Sequence, residues 1–307
     1  MIAARALTRS FAGRPAVSSL DFEIRKGEIY GIVGPDGAGK STLLRLMAGI
    51  LRPDSGELTF DGADIYADPA AIKERIAYMP QRFGLYEDLT VEENIFFFGR
   101  LFGLSAREIR KKLPVLYRFS NLEPFRERLA GKLSGGMKQK LGLACCLVHD
   151  PEMIMLDEPT NGVDPVSRRE FWKILYDLLS GGVTIAVSTA YLDEAERCGR
   201  IALMYRGSFI RSGAPEEIKK MTGTPLLEIR CGEPRKAEGV LKRDPRYRNV
   251  IRTGESLRIF IGDPSAHSAS IRKILSANGI PAAKAGVIIP SLEDTFVEVI
   301  RKKEADA

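Results

Sequence analysis

The stretch from Glu28 to Thr42 constrains this chain more than any other. An apolar run, Glu28 to Val33, feeds Gly34-Pro35-Asp36-Gly37-Ala38-Gly39-Lys40-Ser41-Thr42, and a helix is predicted over Lys40 to Gly49. Strand, glycine loop and helix in that order fit a phosphate-binding loop at the carboxyl edge of a parallel sheet. The glycines let the loop turn its amide hydrogens inward around an anion. The positive end of the following helix points at the same place. Lys40 is placed to bridge β- and γ-phosphates, Ser41 to ligate Mg²⁺, and Thr42 to reach the α-phosphate. Taken alone, the loop implies only that a nucleoside triphosphate binds.

Two further motifs narrow the reading. Met153 to Leu156 is a buried-strand pattern ending in Asp157-Glu158. A parallel sheet brings such a strand end beside the phosphate loop. Leu133-Ser134-Gly135-Gly136-Met137 precedes a helix predicted over Met137 to Val148. Small residues at a helix start leave its amides open to an anion.

The ordered trio resembles the ATP-binding subunits of ABC transporters, and the resemblance covers residues 1 to about 222. It implies a fold, an α/β P-loop NTPase (RecA-like) core with an antiparallel β subdomain and a helical subdomain over about 85–150. It also implies roles. Asp157, Ser41 and Gln81 would hold Mg²⁺, and Glu158 would polarise the attacking water, with Lys40 and Gln81 assisting. Gly34, Pro35, Asp36, Gly37, Ala38, Gly39, Lys40, Ser41 and Thr42 would wrap the ATP phosphates. The family usually carries Asn at Asp36, and a carboxylate there is expected to point outward. Phe11 matches the ring that stacks on adenine, or is a core phenylalanine. Ser134, Gly135 and Gly136 would grip the γ-phosphate of ATP on the opposite subunit, so that two domains pair head to tail. Asp164 matches the residue that communicates across that interface.

One position departs from the family pattern. After the strand predicted over Val183 to Ser188, the run Thr189-Ala190-Tyr191-Leu192-Asp193-Glu194-Ala195 puts Ala190 where the family has histidine. The chain has only two histidines, and His149 and His267 both lie elsewhere, His149 read as a helix-end or surface residue. Loss of one donor to developing charge slows chemistry by about 10²–10³. ATP binding is expected to suffer less, because the loop amides and Lys40 remain. Either a partner ATPase supplies the histidine in the second site, or a different group compensates.

The remaining pattern divides the chain. The opening residues alternate as short antiparallel strands, and Ile201 to Tyr205 and Ser208 to Arg211 form a hairpin. Leu192 to Cys198 reads as a helix. Near Thr222 the character shifts, and residues 223–307 read as a small α+β domain with a βαββαβ-like series. The aromatic segment with Phe83, Leu85, Tyr86, Ile95, Phe96, Phe97 and Phe98 fills a helical core or offers a partner-binding patch.

Composition excludes several classes. Hydrophobic residues at 44% support a sizeable core. No stretch reaches the roughly eighteen apolar residues of a membrane span; Ile95 to Leu104 is short and contains Arg100. Arg5, Arg9 and Arg14 interrupt any signal-peptide core. Cys145, Cys146, Cys198 and Cys231 fit neither a disulfide frame nor a zinc site and are expected to be reduced, mostly buried thiols. The net charge of +6 is scattered without a basic block, so no nucleic-acid partner is expected. No Asn-Lys-x-Asp base-reading motif of small GTPases and no long heptad insertion is present.

The resemblance therefore implies the ATPase subunit of an ABC exporter for a drug-like or hydrophobic compound. It would act from the cytoplasm, peripherally on the inner face of the membrane. Its partners would be transmembrane permease subunits and a second ATPase domain, as homodimer or heterodimer. An importer ATPase and a soluble ABC protein acting on nucleic acid or ribosomes are the alternatives.

Overall fold

The computed structural model describes residues 1–221, 223–280 and 282–305. Thr222, where the domain boundary was expected, and the last two residues of the expected C-terminal domain lie outside the described residues. The chain divides into a first unit, Met1–Ala214, and a second that begins at Pro215.

In chain order the first unit runs β1 (Ile2–Phe11), β2 (Arg14–Ile24), β3 (Ile29–Val33), α1 (Lys40–Met47), β4 (Ser55–Phe60), β5 (Ala63–Asp64), α2 (Pro69–Arg75), β6 (Ile76–Met79), α3 (Val91–Leu101), α4 (Ala106–Ser120), α5 (Gly135–Leu147), β7 (Met153–Asp157), α6 (Pro165–Ser180), β8 (Thr184–Thr189), α7 (Leu192–Ala195), β9 (Arg200–Tyr205) and β10 (Ser208–Gly213). One sheet has the order β2-β1-β4-β5 and is antiparallel. The other has the order β10-β9-β3-β8-β7-β6, parallel except for the β9–β10 hairpin.

Every residue of β3, β7 and β8 is buried. Strands covered on both faces need continuous rather than alternating apolar character, which is why these three read as unbroken runs. The first hairpin is longer than the short strands expected from sequence: β1 has 10 residues and β2 has 11. Its turn, Ala12-Gly13, has both residues at positive φ (48° and 77°), the mirror-image turn that matches strand twist. Ala6 and Ser19 also sit at positive φ near the register shift between Ala4 and Leu7. Such bulges kink long strands so that they wrap a core.

The core lies around α1. Leu43, Leu44, Leu46 and Met47 join Ile2, Leu7, Val17, Leu20 and Ile24 of the antiparallel sheet and Tyr30, Ile32, Met153, Met155 and Ala186 of the parallel sheet in one buried cluster. Each such leucine contributes about 1.5–3 kcal/mol on burial. The phosphate-loop helix is thus clamped between the two sheets, which holds its N-terminus still. The helix expected over Leu192 to Cys198 is a single turn, Leu192–Ala195, because Gly199 leads directly into β9.

Helices α3 and α4 each start with a complete capping box, Thr90 with Glu93 and Ser105 with Glu108. Asn94 is fully buried and donates to the carbonyls of Tyr86, Leu89 and Thr90 while accepting from the Tyr86 amide. It pins the loop that follows Gln81 to α3.

The second unit contains α8 (Pro215–Lys220), β11 (Leu226–Cys231), α9 (Pro234–Leu241), β12 (Ile251–Thr253), β13 (Ser256–Phe260), α10 (Pro264–Ala277), β14 (Ala282–Ile288) and α11 (Leu292–Ala305). Its sheet is antiparallel with order β12-β13-β11-β14. From β11 onward the order is βαββαβ followed by a closing helix. The core is Leu227, Ile229, Leu241, Tyr247, Leu257, Ile259, Ile271 and Leu275. The division falls ahead of position 222 because α8 packs against α11.

Candidate nucleotide site

The phosphate loop leaves β3 and returns as α1, and two of its glycines are required by close backbone approach. A Cβ on Gly34 would lie 2.2 Å from the Met204 carbonyl oxygen. A Cβ on Gly39 would lie 2.0 Å from the Ala16 carbonyl oxygen, and Gly39 has φ +108°. The loop is therefore wedged between β9 and β2. Asp36 is exposed and stands at the rim of the cavity described next.

A cavity of about 390 Å³ opens over the loop, lined by Ala16, residues 36–42, Gln81 and Glu158. Lys40 is buried, and its ammonium donates to the carbonyls of Gly34 (2.8 Å) and Pro35 (3.1 Å) and pairs with Glu158 Oε1 (3.0 Å). All three of its donors are engaged. A phosphate that enters must replace the Glu158 contact.

Glu158 is the hub of the site. Its Oε2 accepts from Gln81 Nε2 (2.9 Å) and Asn161 Nδ2 (3.3 Å). Its backbone has φ +47°, an uncommon conformation for glutamate. Two bonds from its amide hold it there, to the carbonyl (3.2 Å) and hydroxyl (3.0 Å) of Ser188. β7 and β8 are in register with Asp157 beside Ser188, so the parallel ladder supplies the support.

Asp157 is buried and accepts from Ser41 Oγ (3.0 Å), Ser188 Oγ (2.7 Å) and the Tyr78 hydroxyl (3.2 Å). Burial pushes the Tyr78 phenol up, so it stays protonated and donates. A serine hydroxyl beside a buried carboxylate is an all-oxygen donor pair that suits Mg²⁺, which takes its remaining ligands from phosphates and water. Among the described residues no group of three or more His, Cys, Asp and Glu side chains could hold a metal by itself.

The predicted residues do not all meet at one place, and Gly34 and Pro35 meet the site through their carbonyls on Lys40 and not as cavity lining. Residues 36–42, Gln81 and Glu158 line the cavity, and Asp157 meets Ser41 beneath it. Phe11 is 45% exposed at the end of β1, with the Arg9 guanidinium 5.0 Å from its ring centroid, so it is a surface ring and not a core residue. Ser134, Gly135 and Gly136 do not line the cavity. They form the start of α5, where Ser134 Oγ accepts from the Met137 amide (3.3 Å). That amide is therefore taken, contrary to a fully open helix start, and Gly135 and Gly136 remain to offer theirs. A Cβ on Gly136 would lie 2.6 Å from Ser167 Oγ, whereas one on Gly135 would meet open space. Gly136 thus sets the contact of α5 with α6, and Gly135 keeps the surface bare.

Asp164 caps α6, accepting from the amides of Val166 and Ser167 at 3.0 Å each. Hydrogen bonds from Ser167, side chain and then backbone, hold its carboxyl below the usual range. Ala190 follows β8 directly and is exposed. His149, read as a helix-end or surface residue, lies just past the end of α5 and is half-buried. Its ring stacks on Phe102 with centroids 3.7 Å apart, and Nε2 lies 3.1 Å from the Ile76 carbonyl oxygen. All four cysteines are buried and free. In the aromatic segment Ile95 is core, while Phe83, Tyr86, Phe97 and Phe98 form a ring cluster in which Tyr86 is exposed.

Sequence reasoning missed Tyr78, Asn161 and Ser188. Tyr78 and Ser188 carry a faint signal, a polar atom at the carboxyl end of an otherwise apolar strand. Asn161 lies in a polar turn that offers no distinguishing pattern.

Residues 17–161 match the family described as ABC transporter. The chain is 41% identical over 305 residues to the probable multidrug ABC transporter ATP-binding protein YbhF of Escherichia coli (strain K12), covering 98% of this chain and 52% of that protein. It therefore spans about half the length of that relative. It is 35% identical to the Nod factor export ATP-binding protein I of Rhizobium sp. (strain N33), covering 95% of this chain and 94% of that protein. Among solved structures, the dimeric bacterial ABC transporter cassette MJ0796 aligns with a TM-score of 0.64 at 26% identity over 70% of this chain and 98% of that one. The same cassette has been captured in a post-hydrolysis state bound to ADP and Pi, with a TM-score of 0.63, 26% identity and the same coverage of both chains.

Proposed function

The chain belongs to the ABC transporter family, and from that premise we propose that it is the ATP-binding and ATP-hydrolysing subunit of an exporter. It drives a drug-like or hydrophobic compound through separate transmembrane subunits. The observation that carries the reading is the meeting of Lys40, Gln81 and Glu158 at one cavity over Ser41 and Asp157. The names of the relatives, multidrug and Nod factor export, favour outward transport. Among the described residues no helix is long and apolar enough to cross a membrane, which fits a subunit docked on the inner face.

The chemistry follows from the contacts. The loop amides and the N-terminus of α1 surround the phosphates of ATP, and Phe11 offers an exposed face to adenine. Lys40 exchanges its bond to Glu158 for one to a phosphate. Glu158, released from Lys40 but still held by Gln81, accepts a proton from the attacking water. Ser41 and Asp157 would hold Mg²⁺, which supplies neutralisation of phosphate charge. Ser134, Gly135 and Gly136 grip the triphosphate of a second ATPase domain, so nucleotide lies between paired copies or between this chain and a related one. Asp164 sits at the same junction. The cluster around Tyr86 is the surface that receives the permease. We assign Met1–Ala214 to the ATPase domain and the unit that begins at Pro215 to an accessory domain.

Purification from cells together with the neighbouring membrane proteins tests the reading. A multi-span permease that co-purifies and raises the ATPase rate is the expected result. A periplasmic binding protein in the same complex would reverse the direction of transport.

Ala190→His is expected to raise turnover, with a ceiling of about 10²–10³ from one restored donor. Steady-state phosphate release by the two proteins checks it. An unchanged rate would show that this position has no part in hydrolysis.

A further inference from the structure

When a triphosphate takes Lys40, Glu158 loses its Oε1 partner and keeps only what its Oε2 accepts. Those partners are Gln81 and Asn161. Ala190 supplies nothing, since its methyl group neither donates nor accepts. Rotation of a carboxylate about its terminal torsion is soft, because such torsions have broad wells. Something must therefore hold the plane of this one.

Asn161 is built for that task. The turn from Glu158 to Asn161 is closed by the Asn161 amide donating to the Glu158 carbonyl (3.1 Å). The side chain has one consistent orientation. Its Nδ2 faces the carboxylate, and its Oδ1 faces the Tyr191 hydroxyl at 3.4 Å. An amide flipped the other way would set oxygen against oxygen at Glu158, so the acceptor-only carboxylate selects this orientation, and the Tyr191 hydroxyl, free to donate, holds Oδ1 in it.

Tyr191 is itself fixed. Its amide donates to Thr189 Oγ1 (2.9 Å), and the Arg168 guanidinium lies over its ring at 4.5 Å. Arg168 reaches buried Glu194 (3.4 Å), and Glu194 also takes the hydroxyls of Thr160 and Thr189. A buried anchor is thus connected through Arg168, Tyr191 and Asn161 to the carboxylate. The chain of contacts passes through the residue that directly follows Ala190.

We propose that Asn161 and Tyr191 are positioning residues for Glu158 and compensate for the side chain absent at Ala190. The inference rests on the hydrolytic reading above and adds to it how this site works without its histidine.

The test compares steady-state ATP hydrolysis of the purified chain and four variants: Tyr191→Phe, Asn161→Ala, the double variant, and Tyr191→Phe beside Ala190→His. Tyr191→Phe keeps the ring under Arg168 and so preserves the fold. It is expected to lower kcat about three- to ten-fold, the worth of one hydrogen bond, with KM for ATP nearly unchanged. Asn161→Ala is expected to lower kcat about ten-fold, and the double variant should be no worse than Asn161→Ala, because both act through one carboxylate. Beside Ala190→His, the Tyr191→Phe loss should shrink to less than about two-fold. An unchanged kcat in Tyr191→Phe, multiplying losses in the double variant, or a matching rise in KM would each overturn the relay while leaving the ATPase reading intact. A wild-type rate no higher than that of Glu158→Gln would instead remove the hydrolytic reading itself.

Discussion

Glu158→Gln is expected to lower ATP hydrolysis by about 10²–10⁴-fold, the usual worth of a positioned general base. Nucleotide affinity should not fall. In the wild-type chain Lys40 is paired with Glu158 Oε1 at 3.0 Å, and an incoming phosphate must displace that contact. A neutral glutamine weakens the competitor and leaves Lys40, the loop amides and the α1 N-terminus in place. Phosphate release and binding of a fluorescent ATP analogue separate the two quantities. Turnover that stays within about three-fold of wild type would remove Glu158 from the chemistry. Equal loss of affinity and turnover would mean that the residue shapes the pocket and does not act on water.

Gly39→Ala should be the most damaging single methyl group in this chain. The new Cβ would stand 2.0 Å from the Ala16 carbonyl oxygen, at φ +108°. Neither the loop nor β2 can retreat without disturbing the other, because α1 is packed between both sheets. We expect a loss of about 3 kcal/mol or more in stability and no measurable nucleotide binding. Gly37→Ala provides the contrast. Gly37 also has positive φ, +76°, but its Cβ would meet nothing within 4 Å. That variant should lose only the left-handed backbone cost of about 1–2 kcal/mol and should still fold. Denaturant midpoints of the two variants decide the matter. Equal losses would mean that backbone conformation alone, and not the approach of β2, demands glycine at position 39.

The phosphate loop, the strand ending in Asp157-Glu158 and the helix start at Ser134 were legible in the sequence because each couples a local chain geometry to a residue type. A glycine turn, a buried strand end and a helix cap are settled within a few residues. The βαββαβ order of the second unit was legible for the same reason, since its strands and helices alternate with clear turn signals. The supports of the site were not. Ser188 serves Asp157 and Glu158 across a gap of about thirty residues, through a sheet register that no local pattern encodes. Tyr78 reaches Asp157 from the neighbouring strand. Asn161 gains its meaning only when β8 brings Tyr191 alongside.

By itself, then, the amino-acid sequence determined the phosphate loop and the strand that ends in Asp157-Glu158, that a family histidine is replaced at Ala190, and that an α/β core precedes a smaller α+β unit. These depend on backbone conformation and residue chemistry over short spans. Only the tertiary structure decided that Lys40 and Glu158 pair across the cavity, that Ser134 already occupies one of its own helix amides, and that the carboxylate accepts from Asn161, whose Oδ1 accepts in turn from Tyr191. Side-chain bonds of that kind depend on which strands neighbour each other and in what register, and burial within the assembled core sets both.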